Sequence, residues 1–159
     1  LFAIDRIFAI RIAAEQAAVK QIVGSIKSAL GLEVARLALE GKMSSVAKLH
    51  KTNPVTLLSQ APNNYLGEKE GGHDVIEPGV WYFDKKQNAL TYNVIYNENF
   101  ITPLKGIPRI RYQIKLVYND RNRNNRFDLR YDSIAGLDLF SLEKYNWNTK
   151  AMDVIDAVQ

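Results

Sequence analysis

Apolar residues in the first forty positions recur at helical spacing. Leu1, Ile4, Ile7, Phe8, Ile12, Val19, Ile22, Val23, Ile26, Leu30 and Leu37 fall on one stripe, with Arg6, Lys20 and Lys27 roughly opposite. The spacing predicts one helix over 1–40, with Gly41 placed to end it in the left-handed conformation. Glu15 and Glu33 interrupt the stripe, and a buried face tolerates a carboxylate only when it has partners. A second row, Ala3, Ile10, Ala17, Gly24, Gly31 and Ala38, returns every seven residues on the face away from the stripe. Apart from Ile10 its members are small. Small residues let another helix backbone approach closely, although an alanine-rich helix also generates such a row by chance.

After Gly41 the pattern shortens. Ser44 is placed to cap a short helix through His50, and Asn53-Pro54 has the chemistry of another turn reaching about Ser59. Residues 61–79 are turn-formers of mixed charge and read as a long surface loop. From Val80 the period becomes two. Leu90, Tyr92, Val94 and Tyr96 alternate with polar or smaller residues. Ile110, Tyr112, Ile114, Leu116 and Tyr118 do the same, as do Phe127, Leu129 and Tyr131. Asp84 to Asn88 and Asp120 to Arg126 read as the hairpin connections. One face of this sheet is apolar and the other solvated, which is the antiparallel habit. The apolar face needs a cover, and the helical stripe supplies it. The expected fold is α+β: a long N-terminal α-helix packed on an antiparallel sheet of about four strands. Residues 1–40 form stalk and spine, and residues 41–159 form one globular head around the C-terminal half of the helix.

Length sharpens this expectation. A helix of forty residues is about 60 Å long, whereas a compact body of 159 residues is about 40 Å across. Roughly 20 Å of helix therefore has no body to lie on, unless the helix breaks at Gly24 or Gly31. Composition is segregated in the same way. All 8 tyrosines and both tryptophans lie at or after Tyr65, and residues 1–60 carry the entire net charge of +4. The hydrophobic fraction of 47% excludes wholesale disorder, and the absence of cysteine excludes disulfides, thiolate metal sites and thiol catalysis.

The layout resembles the type IV pilin and type II secretion pseudopilin superfamily, in which a long N-terminal helix protrudes from a head with an antiparallel sheet. The resemblance covers nearly all of residues 1–148. It includes Ala17-Ala18-Val19 leading to Gly24 through Leu30, then Asn53-Pro54 followed by Leu57-Leu58. Asn64-Tyr65-Leu66-Gly67 and Gly79-Val80-Trp81-Tyr82-Phe83-Asp84 complete it. It implies a structural subunit of a pilus or pseudopilus whose partners are other such subunits. Leu1, Phe2, Ala3, Ile4, Ile7, Phe8, Ile10 and Ala17 would serve assembly. It also implies that Leu1 lies inside a longer helix. A preceding apolar segment, with the prepilin leader, would anchor the subunit in the inner membrane of a bacterial envelope, leaving the head in the periplasm or outside the cell. The missing cysteine pair of many major pilins leans toward a pseudopilin or minor pilin.

Catalysis finds little support: His50 and His73 sit in unrelated contexts, and no nucleophile elbow, phosphate loop or zinc-protease motif occurs. An enzyme with a small-molecule substrate is not expected. Two binding chemistries remain open. Asp120, Asn122, Asn124 and Asp128 occupy positions one, three, five and nine of an EF-hand-type calcium loop, with Asn125 at the turn position. The twelfth position is Tyr131, and Asp132 comes one residue late. The same residues also suit a plain polar hairpin tip. Pseudopilins of the major type use calcium in this general region, so the resemblance keeps Ca²⁺ in view. Arg109, Arg111, Arg121, Arg123 and Arg126 suggest phosphate contact with nucleic acid. Alternation turns Tyr112 and Tyr118 away from them, leaving Arg109, Arg111 and Lys115 on a solvated sheet face.

Overall fold

A computed structural model describes residues 2–148; Leu1 and the C-terminal stretch 149–159 lie outside the described residues. Helix α1 (Phe2–Leu39) runs for 38 residues without a break at Gly24 or Gly31. Its end is closed by two crossing backbone bonds. Gly41, at φ +68°, donates its N–H to the Ala38 carbonyl at 3.0 Å, and the Lys42 N–H reaches the Leu37 carbonyl at 2.8 Å. The expected short helices are 3-10 segments, Met43–Leu49 and Pro54–Leu57. The Asn53 side chain caps the second by accepting the Val55 N–H at 3.1 Å.

Among the described residues seven strands follow: β1 (Tyr65–Lys69), β2 (Trp81–Asp84), β3 (Ala89–Asn93), β4 (Phe100–Ile101), β5 (Arg109–Asn119), β6 (Ser133–Ser141) and β7 (Asn146–Trp147). Five of them form one sheet in the order β1-β2-β3-β5-β6, and β4 pairs with β7 apart from it. The class is α+β as expected, but the sheet is mixed rather than antiparallel. β1 runs parallel to β2, with Tyr65 opposite Trp81 and Glu68 opposite Phe83. Parallel neighbours need a crossover, and residues 70–80 supply it across one face of the sheet. The stretch expected as a surface loop therefore contains an edge strand and a cover.

The second correction is at the last hairpin. β5 pairs with β6 over Tyr112 to Asn119, with a register shift between Val117 and Tyr118. Residues 127–131, which alternate like a strand, lie instead in the connection. Asp128 and Asp132 divert the backbone there: the Asp128 N–H donates to the Asp132 carboxylate at 2.7 Å, and the Arg130 N–H to that of Asp128 at 2.9 Å. Such local side-chain acceptors compete with a strand ladder.

The core lies between α1 and the sheet. Val19, Ile26 and Leu30 pack with Trp81, Phe83, Leu90, Tyr92, Ile110, Tyr112, Ile114 and Leu139. The alternate residues of the same strands face the crossover, where Ile76 and Val80 bury against Tyr82. β2 and β3 are thus buried on both faces.

Candidate functional site

The apolar stripe of α1 divides in two at Ile12. From Ile12 onward it enters the core, with Ile12, Val19, Ile26, Leu30 and Leu37 buried. Before Ile12 it is uncovered: Phe2 is 88% exposed, and Ile4, Ile7, Phe8 and Ile10 are exposed as well. Of the residues expected to serve assembly, Leu1 lies outside the described residues. The other seven, Phe2, Ala3, Ile4, Ile7, Phe8, Ile10 and Ala17, are all exposed. The seven-residue row is exposed throughout its length, Gly24, Gly31 and Ala38 included. A Cβ at Gly24 or Gly31 would meet nothing within 4 Å among the described residues. Beside this row a groove of about 720 Å³ runs along Gly24, Ser28 and Leu32, with Leu57 and Leu58 as its opposite wall.

Glu15 marks the point where the helix meets the head. It is 7% exposed, and its carboxylate accepts three hydrogen bonds: from the Tyr92 hydroxyl at 2.9 Å, the Ile95 N–H at 2.7 Å and the Tyr96 N–H at 3.0 Å. The partners that a carboxylate on an apolar stripe requires are therefore present. Burial, reinforced by the neighbouring carboxylate, pushes the Tyr92 phenol well above its ordinary range. Next along the helix, Gln16 Nε2 donates to the Trp147 carbonyl at 2.6 Å, and Trp147 Nε1 donates to the Tyr96 carbonyl at 3.2 Å. The break in the stripe was the sequence signal for this clamp.

The 120–128 turn is built by its own side chains. Asp120 accepts the N–H groups of Asn124 and Asn125 at 3.2 and 2.7 Å, and Asn122 accepts the same Asn124 N–H at 3.2 Å. Asn124 in turn accepts from the Arg126 N–H at 2.8 Å. Arg123 and Asn125 hold left-handed φ values of +58° and +59°. Asp132, one residue late for a calcium loop, closes the turn by accepting the Arg121 N–H at 3.0 Å. Three of the four candidate ligands, Asp120, Asn122 and Asn124, are thus tied into one turn, while Asp128 accepts from the Arg130 N–H instead. Among the described residues, however, no three carboxylates or histidines stand close enough to hold a metal ion. Amide oxygens would have to complete any calcium shell.

The arginines do not form one surface. Arg121, Arg123 and Arg126 are exposed at the hairpin tip. Arg109 and Arg111, expected on a solvated sheet face, lie under the crossover: Arg109 is 8% exposed, and half-buried Arg111 is paired with Glu143. The covered second face is the reason, since residues 70–80 lie where solvent was expected. His50 accepts the Leu116 N–H through Nδ1 at 3.3 Å, which gives it a structural task. The side chain of His73 lies outside the described residues.

Among the described residues no helix is long and apolar enough to cross a membrane. Set against protein-family models, curated proteins and solved structures, the chain finds no match.

Proposed function

We propose that the chain is a structural subunit of a type IV pilus or type II secretion pseudopilus, assembling through α1 and carrying no reaction of its own. One observation carries this reading: five large apolar side chains, Phe2, Ile4, Ile7, Phe8 and Ile10, stand exposed on a helix end that the head does not cover. Apolar surface left in water forgoes about 25 cal/mol per Å², which neighbouring copies or lipid would recover. Gly24 and Gly31 support the same reading. Each costs the helix about 1 kcal/mol relative to alanine, and among the described residues nothing lies within 4 Å of where its Cβ would be. Copies stacked along such a row make heterologous contacts, which extend rather than close. In this reading an apolar segment ahead of Leu1 holds the subunit in the inner membrane, with the head in the periplasm or outside the cell.

These 159 residues contain no cysteine, so thiols placed in α1 have no competitor within them. The full gene product, expressed in its own envelope with Ala3→Cys and Ala17→Cys together, is oxidised and separated by size. A ladder running past dimer is expected. Products that stop at monomer or dimer refute an extending assembly.

A second reading attaches to the hairpin tip, where Arg121, Arg123 and Arg126 are exposed and none has a carboxylate within ion-pair distance among the described residues. Three phosphate contacts would give DNA affinity a log–log salt slope of about −3. A flat salt series removes this reading.

A further inference from the structure

On the sheet face opposite α1 a cavity of about 280 Å³ opens between the crossover and the strands. Alternation builds its wall: Tyr82 and Asp84 come from β2, Thr91 from β3, and Arg109 and Arg111 from β5. Gly71 and Gly72, at φ +86° and +83°, edge it without side chains, and Lys86 stands beside Gly71.

The charges in this wall do not balance locally. Arg111 is neutralised by Glu143. Asp84 holds the turn after β2 by accepting the Lys86 and Gln87 N–H groups at 2.9 and 3.3 Å. Arg109 is more than nine-tenths buried, and its Nη1 donates to the carbonyls of Lys105 and Ile107 at 3.0 Å each. Its Nε and Nη2 have no acceptor among the described residues, and no carboxylate there lies within ion-pair distance of it. Neither nitrogen is among the buried unpartnered atoms of the described residues, so these three of its five N–H donors meet solvent in the cavity, where an anion can replace water.

We propose that this cavity is an anion site that takes a carboxylate group, held by the open Nε–Nη2 edge of Arg109. The guanidinium fork matches the two oxygens of a carboxylate. Two features select a monoanion over a phosphate dianion: one guanidinium edge is open, and the Asp84 carboxylate stands in the wall. The Tyr82 hydroxyl, pushed up to about 12 chiefly by burial, stays a neutral donor. The volume is at the small end for ligand sites, so the guest is a small organic acid or the carboxylate end of a polypeptide. The inference does not depend on the assembly reading.

The test is a titration of the ¹⁵N-labelled chain at fixed ionic strength, with sodium acetate against sodium chloride. Saturable shifts of the Arg109 Nε–H and of the Gly71 and Gly72 amides are expected with acetate alone. Arg109→Lys keeps the charge but loses the fork and should weaken binding by about tenfold; Arg109→Gln should abolish it. Lys86→Met, at the rim beside Gly71, supplies a variant outside the Arg109 packing, and it should weaken binding without ending it. A second arm compares acetate with acetyl-glycyl-glycine: tighter binding of the peptide assigns the site to a chain terminus, and equal binding assigns it to a free acid. No saturable shift with acetate overturns the proposal. So does tighter binding of phosphate at pH 8, or unchanged acetate binding by folded Arg109→Gln.

Discussion

Glu15 carries a disproportionate share of the contact between helix and head. Glu15→Ala leaves a buried hydroxyl and two backbone N–H groups without their acceptor, and unfolding in denaturant should show a loss of about 3–5 kcal/mol. Sequence alone marked the residue, because a carboxylate on an apolar stripe demands an explanation. It could not name the partners, since two of the three donors are main-chain groups some eighty positions away, which side-chain identity does not encode. His50 makes a smaller, pH-dependent contribution. The residue is exposed overall, but desolvation around its ring, with Lys51 and Lys115 nearby, pushes its pKa below the ordinary value. The unfolded chain then takes up the proton first. The contribution is complete above the unfolded value of about 6.5 and is lost as pH falls through it toward the lower folded value. Melting temperatures of the wild type and His50→Gln, compared from about pH 7.5 down to about 5.5, should show the steeper fall in the wild type.

Among the elements, α1 was the most legible. Its period, its closing glycine and the division of labour along its stripe follow from spacing that any helix obeys. The strands β3 and β5 were legible for the same reason. β1 was not: Tyr65-Leu66-Gly67-Glu68-Lys69 has turn-forming neighbours and no clean alternation, and parallel pairing leaves no local mark in a sequence. The strand read into 127–131 failed differently, because aspartates at 128 and 132 offered the backbone a better set of partners than a neighbouring strand. It was the missed β1 and its crossover that hid the cavity, whose wall was expected to face solvent. The glycines of α1 permit a separation of roles. Gly24→Ala and Gly31→Ala should each raise stability in denaturant by about 1 kcal/mol, because the added methyl meets nothing. The same substitutions should shorten the cross-linked ladder of the full-length protein.

For the whole molecule, the organising fact is that one helix belongs to two environments. Its C-terminal two-thirds is core, and its N-terminal turns are surface with core-like composition. Phe2→Ser and Ile7→Ser should therefore change the unfolding free energy of the isolated chain by less than about 0.5 kcal/mol, while removing the ladder. A large loss of stability would mean that the head itself uses these side chains. The Glu15 clamp has a mechanical consequence. Tension applied to the free end of α1 travels down a rod whose hydrogen bonds are internal, and it first reaches the head around Ile12 and Glu15. Three bonds that start from one carboxylate share that force rather than parting in succession. Until the clamp yields, the junction transmits a pull to the tip of β3 and the residues just beyond it, at the top of the sheet.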